Sequence, residues 1–237
     1  MKNKYKRVLL KLSGEGLMGD KSFGISPDVL ASLASQIKTI SDGGTDVCIV
    51  VGGGNIFRGA KEASKGMNRT VADQVGMLAT LMNALCLQNA LEEAGVATRV
   101  LSGLSVPQAC ENYMYRRALR HLEKGRVVVF AGGTGNPYFT TDTGAVLRAS
   151  EMQCEVVLKA TQVDGVYSAD PRLDITAKRY SEISYDEVIQ KQLKVMDLTA
   201  VSLAKENNIP IIVFSQHADK SLENIVQGKG VYTIIKK

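Results

Sequence analysis

Lys11 stands between Leu10 and Leu12 at the end of an apolar run, directly ahead of Ser13-Gly14. An ammonium group at a strand tip beside a glycine turn is placed to hold a phosphate. Three further segments carry related chemistry. Gly52-Gly53-Gly54-Asn55-Ile56-Phe57-Arg58-Gly59 follows the apolar run DVCIVV. Three successive glycines let backbone N–H groups approach an anion, and Arg58 adds a charged fork. AGGTGNPYFTTDTGA follows RVVVF; Gly132, Gly133 and Gly135 free the backbone, and Thr140 and Thr141 offer hydroxyls where a helix begins, a place suited to phosphate. KATQVDGVYSADP follows EVVL and holds Lys159, Thr161, Tyr167 and Asp170. Any one of these loops reads as a simple turn or a helix cap. Four of them after four strands, with Lys11, Arg58 and Lys159 among them, point to several phosphate cradles and two phosphorylated ligands facing each other.

The elements that must position these loops follow from hydrophobic patterning. Strands are expected at 5–12, 46–51, 96–101, 126–131, 155–159, 210–214 and 231–235, mostly continuous apolar runs of the kind covered on both faces. Helices are expected at 27–41, 70–94, 109–124, 141–152, 198–207 and 219–227, several ending near Gly43, Gly95, Gly125 and Gly228. Alternation of this kind predicts an α/β fold, a three-layer, doubly wound, mainly parallel sheet with helices on both faces. Ligands then gather at the carboxyl ends of the strands. The segment 70–94 is apolar around most of its circumference, with Val71, Val75, Leu78, Met82 and Leu85 as one stripe and Met77, Leu81, Ala84 and Leu87 widening it. Such a helix packs inside its own domain or against another subunit.

Composition narrows the class. The 237 residues are 45% hydrophobic and 22% charged, enough for a substantial core in one compact unit spanning 1–237. No unbroken apolar run reaches the length of a membrane span, and MKNKYKRVLL reads as a first strand, not a secretory signal. The four cysteines (Cys48, Cys86, Cys110, Cys154) form no paired ligand motif and read as buried free thiols of a reducing cytoplasm. A net charge of +5 suits small anions; with no Trp and no RNA-binding aromatic signature, nucleic acid is not the expected partner. The basic stretch from Arg116 to His121 reads as a solvated helix face. There is no GxxxxGK[ST], GGGNIF does not fit GxGxxG, and the protein-kinase motifs are missing. The two histidines, His121 and His217, lie outside the four loops, His217 where it would cap or line a helix start.

Taken in order and spacing, KLSGE, VGGGNIFRG, GTGNPYFTTDTGA and DGVYSADP, with VMDLTA and NNIPIIVF beyond them, resemble the bacterial-type UMP kinases of the amino acid kinase superfamily. The resemblance runs from Lys4 to Ile235. It implies the carbamate kinase-like fold of that superfamily and phosphoryl transfer from ATP to UMP, giving UDP and ADP in pyrimidine nucleotide biosynthesis, with Mg²⁺ carried by ATP and no direct protein ligand. It implies that Lys11, Leu12, Ser13, Gly14, Gly54 and Arg58 meet the ATP phosphates. Thr161, Tyr167 and Asp170 would form the adenosine side, leaving 150–237 mainly to ATP and the earlier part mainly to UMP. Gly53 and Asp73 would hold UMP, Asp73 through ribose hydroxyls. The stretch Thr134, Gly135, Asn136, Pro137, Tyr138, Phe139, Thr140 and Thr141 would wrap the uridylate. Lys11 would bridge the transferring phosphoryl oxygens, with Asp142 orienting it or the Mg²⁺ shell; no general base is needed because the acceptor phosphate is already an anion.

Gly19, Asp20, Lys21, Ser22, Phe23 and Gly24 have no place in that scheme and read as a surface hairpin or loop. The resemblance implies that they take part in activation by GTP, that UTP inhibits, and that the protein forms homohexamers built from dimers packed on the 70–94 helix. Plainer readings stay open beside these: Asp73 as a first-turn acid, Asp142 and Asp197 as caps, Tyr167 as packing, and Lys159 as a structural ion-pair partner. So do two other functions on the same fold, a kinase of a small carboxylate or carbamate and a non-catalytic nucleotide-binding protein.

Overall fold

The computed structural model describes residues 3–59, 64–216 and 221–237. One nine-stranded sheet runs through these residues: β1 (Arg7–Leu12), β2 (Asp46–Val51), β3 (Thr98–Ser102), β4 (Glu111–Asn112), β5 (Val127–Ala131), β6 (Val156–Thr161), β7 (Glu182–Ser184), β8 (Ile211–Ser215) and β9 (Tyr232–Lys236). Across the sheet the order is β4-β3-β5-β2-β1-β6-β8-β9-β7, and only the β8–β9 pair is antiparallel. The first strand is central. The chain builds outward on one side through β2 and later returns to lay β6 on the other, so the ends of β2, β1 and β6 flank the point where strand order reverses, the usual ligand crevice of an open α/β sheet.

Among the described residues seven α-helices cover the two faces: α1 (Pro27–Asp42), α2 (Arg69–Glu93), α3 (Tyr115–Glu123), α4 (Thr141–Glu151), α5 (Tyr185–Gln190), α6 (Leu198–Glu206) and α7 (Ser221–Val226). Strand side chains alternate between faces, and the core divides accordingly. Val8, Leu10 and Leu12 of β1 join Leu30, Ile37, Leu81, Leu87 and Ile225 in one cluster under α1, α2 and α7. Leu9 joins Leu122, Val146, Val157 and Val201 in a second cluster under α3, α4 and α6. Strands sandwiched this way must be apolar on both sides, which is why their sequences run unbroken instead of alternating.

All seven expected strands are present within two residues at either end, and the layered parallel architecture is as expected. Three short elements carry too little pattern to be anticipated: the edge strands β4 and β7 and the six-residue α5. The helix expected from 109 begins only at Tyr115, because Glu111–Asn112 pairs with Leu101–Ser102 as a sheet edge. His121 does not belong to the solvated face; it turns inward, between Glu111 at 3.1 Å and Arg126 Nη1 at 3.1 Å. Cys86 is exposed and Cys110 half-buried, so only Cys48 and Cys154 are buried, and all four thiols are free. His217 and the start of the helix expected at 219 lie outside the described residues.

The long α2 is apolar enough, by length and composition, to cross a bilayer. Here it packs against α1 and the sheet, and buries Met77, Leu81, Ala84, Leu87 and Leu91. The widening set from the sequence is thus the core face. The other stripe lies mostly outside it: Val71, Leu78 and Met82 are exposed, while Leu85 packs at the core edge and lines an apolar cavity of about 760 Å³ between α1 and α2.

Candidate active site

Parity along two neighbouring strands builds the centre. Lys11 follows Leu9 on the α4 side of β1, and Lys159 follows Val157 on the same side of β6; the two lysines are paired in register. Above them α4 starts. Thr140 caps it by accepting from the N–H groups of Asp142 and Thr143, which sets Asp142 in the first turn, where the helix dipole favours a carboxylate. Lys11 Nζ lies 2.7 Å from Asp142 Oδ1 and Lys159 Nζ 2.6 Å from Oδ2. Lys159 also donates to the Val195 carbonyl. Lys11 meets the carboxylate alone, whereas Lys159 has both the carboxylate and a carbonyl, so Lys11 has the fewer anchors among the described residues.

These three groups are nearly enclosed, and their charges decide one another. Burial is the strongest influence on the Asp142 carboxyl and pushes it up, but Lys11 and Lys159 together hold it below the ordinary carboxylate value. Burial likewise acts most strongly on Lys159 and pushes it down; Lys11 adds to that, and Asp142 and Asp197 recover only part. Two ammonium groups against one carboxylate give the cluster a formal surplus of one positive charge.

Three of the four loops converge on this point. A β-carbon on Gly14 would stand 2.7 Å from the Gly54 nitrogen and 2.4 Å from Asn55 Oδ1, so only glycine lets the first loop lie against the second. A β-carbon on Gly52 would meet the Thr141 hydroxyl at 3.5 Å, which brings the third loop to the same place. Arg58 folds back over Gly54 and pairs with Glu15 at 2.5 Å, so its charge is on hand but occupied. Gly135 needs its φ of +82° and lies against Gly103, fixing the base of the stretch from Thr134 to Tyr138.

The fourth loop is less committed to the centre. Thr161 closes a hydroxyl turn with Val163, Tyr167 donates to Asp164 at 2.6 Å, and Asp170 forks onto Arg172 at 2.8 Å. That fork holds the Asp170 carboxyl down at about 2, and the bond to Asp164 raises the Tyr167 phenol. The exposed segment from Gly19 to Gly24 is not a hairpin. Its last residue is clamped from both sides by Asn55: Gly24 N–H donates to the Asn55 carbonyl and the Asn55 amide donates to the Gly24 carbonyl.

Several residues that matter here gave little signal in the sequence. Asn83, wholly buried on α2, donates to the Gly52 carbonyl at 2.6 Å and trades amide bonds with Asn55, so it braces the triple-glycine loop from behind. A polar residue inside an apolar helical stretch is the only trace it left. Asp197, read in the sequence as a cap, does cap α6 through the Ala200 N–H; what spacing did not show is that it also takes the Thr140 and Thr143 hydroxyls, tying two helix starts together. Arg148, buried in α4, stacks 3.6 Å from the Tyr113 ring centre and pairs with Glu151 at 2.6 Å, beside a polar cavity of about 320 Å³ that reaches Thr134.

Among the described residues no three His, Cys, Asp or Glu side chains gather into a metal cage. Both Asp142 oxygens face ammonium groups, so a divalent cation here would have to come with phosphate oxygens.

Comparison with known proteins places the chain in a family. The family model described as "Amino acid kinase family" matches residues 6–215. The chain is 55% identical over 232 residues to a protein named uridylate kinase from Paramagnetospirillum magneticum, covering 98% of this chain and 97% of that one. It is 58% identical over 236 residues to a uridylate kinase from Hyphomonas neptunium, covering 100% of this chain and 94% of the other. Its fold superposes on the crystal structure of UMP kinase from Ureaplasma parvum with a TM-score of 0.94, at 38% identity, over 99% and 100% of the two chains.

Proposed function

The chain belongs to the amino acid kinase family, and we propose that it transfers the γ-phosphoryl group of ATP to UMP, yielding UDP and ADP. The observation that carries this reading is the Asp142 carboxylate held between Lys11 and Lys159 beneath three converging loops. Full-length likeness to proteins named uridylate kinase supports the choice of acceptor. Phosphoryl transfer asks for two anions in line and neutralisation of the charge spread over the transferring oxygens. In this reading Lys11 supplies that charge, and Asp142 aims it. Lys11, Leu12, Ser13, Gly14, Gly54 and Arg58 receive the ATP phosphates, Arg58 exchanging Glu15 for them. Thr161, Tyr167 and Asp170 face the adenosine. Gly53, Asp73 and the stretch Thr134 to Thr141 hold UMP. Mg²⁺ brought in with ATP would supply further positive charge there.

We place the whole of 1–237 in one unit, with its later part from about residue 150 serving ATP. The exposed Val71, Leu78 and Met82 with the neighbouring apolar cavity support packing of α2 against a second copy, and assembly toward a hexamer. The Asn55 clamp on Gly24 supports a route by which GTP at the Gly19–Gly24 segment would act on the glycine loop, UTP opposing it. A cytoplasmic setting fits free thiols.

The deciding experiment is an ADP-coupled assay over UMP, CMP, acetylglutamate, aspartate and carbamate, with and without GTP and UTP, on protein sized by sedimentation. UMP should be consumed and the carboxylates and carbamate ignored. Turnover of a carboxylate, or ATP and UMP binding with no UDP formed, would send the assignment to one of the other functions.

Lys159 gives a pH prediction. An ammonium whose folded-state value is lowered costs stability while charged; that cost starts to fall as pH rises past the lowered value and is gone above the ordinary lysine value. If its charge assists transfer, kcat should fall on the alkaline side below the ordinary lysine range. Lys159→Arg should remove that limb while keeping most of the rate at neutral pH. A profile that is flat to ordinary lysine titration, or one unchanged by the arginine, would return Lys159 to a structural role.

A further inference from the structure

Three features around the start of α2 go against local rules and share one carboxylate. Arg69 puts a cation at the first position of a helix, where the dipole disfavours it. Its pairing with Asp73 four residues on has the acid after the base, the weaker order. Tyr138, exposed and not a glycine, holds φ at +70°, a left-handed conformation that persists only where neighbours impose it. The three meet at one atom. Arg69 Nε donates to Asp73 Oδ2 at 2.7 Å, and the Tyr138 N–H donates to the same oxygen at 2.8 Å. The Arg69 guanidinium lies 5.4 Å from the Tyr138 ring centre, and the Thr70 hydroxyl reaches the Tyr138 phenol at 3.5 Å.

The other carboxylate oxygen is treated differently. Among the described residues no donor reaches Oδ1. It faces Gly59, where a β-carbon would come within 3.3 Å of it. Among the described residues, protein donors thus take one oxygen of Asp73 and none takes its twin.

We propose that Arg69 is a positioning residue for the acceptor nucleotide. With the Tyr138 N–H it fixes the Asp73 carboxylate so that Oδ1 accepts from a ribose hydroxyl, and through Tyr138 it fastens the Thr134–Thr141 stretch to α2. This rests on the reading of Asp73 as a UMP ligand. It adds that the ribose selectivity of the site resides in Arg69 as much as in the acid. Arg69 touches no reacting atom, so it acts on acceptor binding and leaves the transfer step alone.

The test compares wild type, Arg69→Ala and Arg69→Lys on UMP, 2′-deoxy-UMP and 3′-deoxy-UMP, with KM for ATP measured alongside. Loss of one charge-assisted hydrogen bond that orients a binding carboxylate should raise KM for UMP about tenfold in the alanine variant. KM for ATP and kcat should stay within about twofold, the scale of effects outside the lost contact. The preference for UMP over whichever deoxy analogue lacks the hydroxyl read by Asp73 should shrink by the same factor, and lysine should restore part of it. The idea is overturned if both preferences stay at the wild-type ratio, or if kcat and the two KM values decline together as in a general loss of structure. Wild-type turnover of UMP, measured first, reports separately on the function itself.

Discussion

Replacing Lys11 with alanine should lower turnover by about 100- to 1000-fold, the range seen when one preorganised stabilising group is removed from a transition state. Lys11 is the centre's best candidate for such a group. Its one anchor among the described residues is the Asp142 carboxylate, which leaves the other ammonium protons to point at phosphoryl oxygens. Lys159, by contrast, is held by a carboxylate and a carbonyl together. The fold should tolerate the change. Asp142 keeps Lys159 as its partner, so no buried charge is left alone, and the net positive charge of the cluster falls from one to zero. Melting should therefore stay within a few degrees of wild type while kcat falls. A variant that melts like wild type and turns over within tenfold of it would remove Lys11 from the chemistry.

That Lys11 was legible at all comes from its setting. Strands buried on both faces tolerate almost no charge, so a lysine at the tip of an apolar run calls for an explanation on chemistry alone. Lys159 sits in the same kind of place, and Asp142 stands in a first helical turn, so all three were visible as types. What sequence spacing could not give is that β6 lies beside β1 in register, since a parallel neighbour is fixed by crossover topology and not by local pattern. The same limit hid Asn83 behind the triple-glycine loop and Arg69 beside Tyr138. Each acts on a residue far along the chain, and each looks ordinary within its own helix. What stayed open on α2 has a different cause. Apolar residues on both of its sides cancel the periodic signal, so spacing alone could not say that Met77, Leu81 and Leu87 face the core while Val71, Leu78 and Met82 face outward. Edge strands of two and three residues leave no pattern to read.

Asp142→Asn should be the more damaging substitution, because it strikes stability and turnover together. The amide has the shape of the carboxylate but not its charge, so Lys11 and Lys159, both about nine-tenths buried, would face each other with no counter-ion between them. Removing one partner from a buried ion pair costs about 3–5 kcal/mol, which for a chain of this size amounts to roughly 10 °C in melting temperature. The pH sign follows from the lowered carboxyl value. Asp142 stabilises the fold above the ordinary carboxylate range, and that contribution disappears as pH falls through its own lower value. The wild-type advantage over the asparagine variant should therefore be full at neutral pH and vanish in strong acid. A second substitution separates charge balance from catalysis. In Asp142→Asn with Lys159→Met the repulsion between the two lysines is gone and a flexible apolar chain fills the place of one, so part of the lost stability should return, while Lys11 still lacks a counter-ion. Turnover should not, since Lys11 would still lack the group that aims it. If asparagine alone melted at the wild-type temperature, the two lysines would have to be solvated and the enclosed charge cluster would be wrong. If the double variant recovered turnover along with stability, Asp142 would be a counter-ion and nothing more, and the aim of Lys11 would have to come from the substrates.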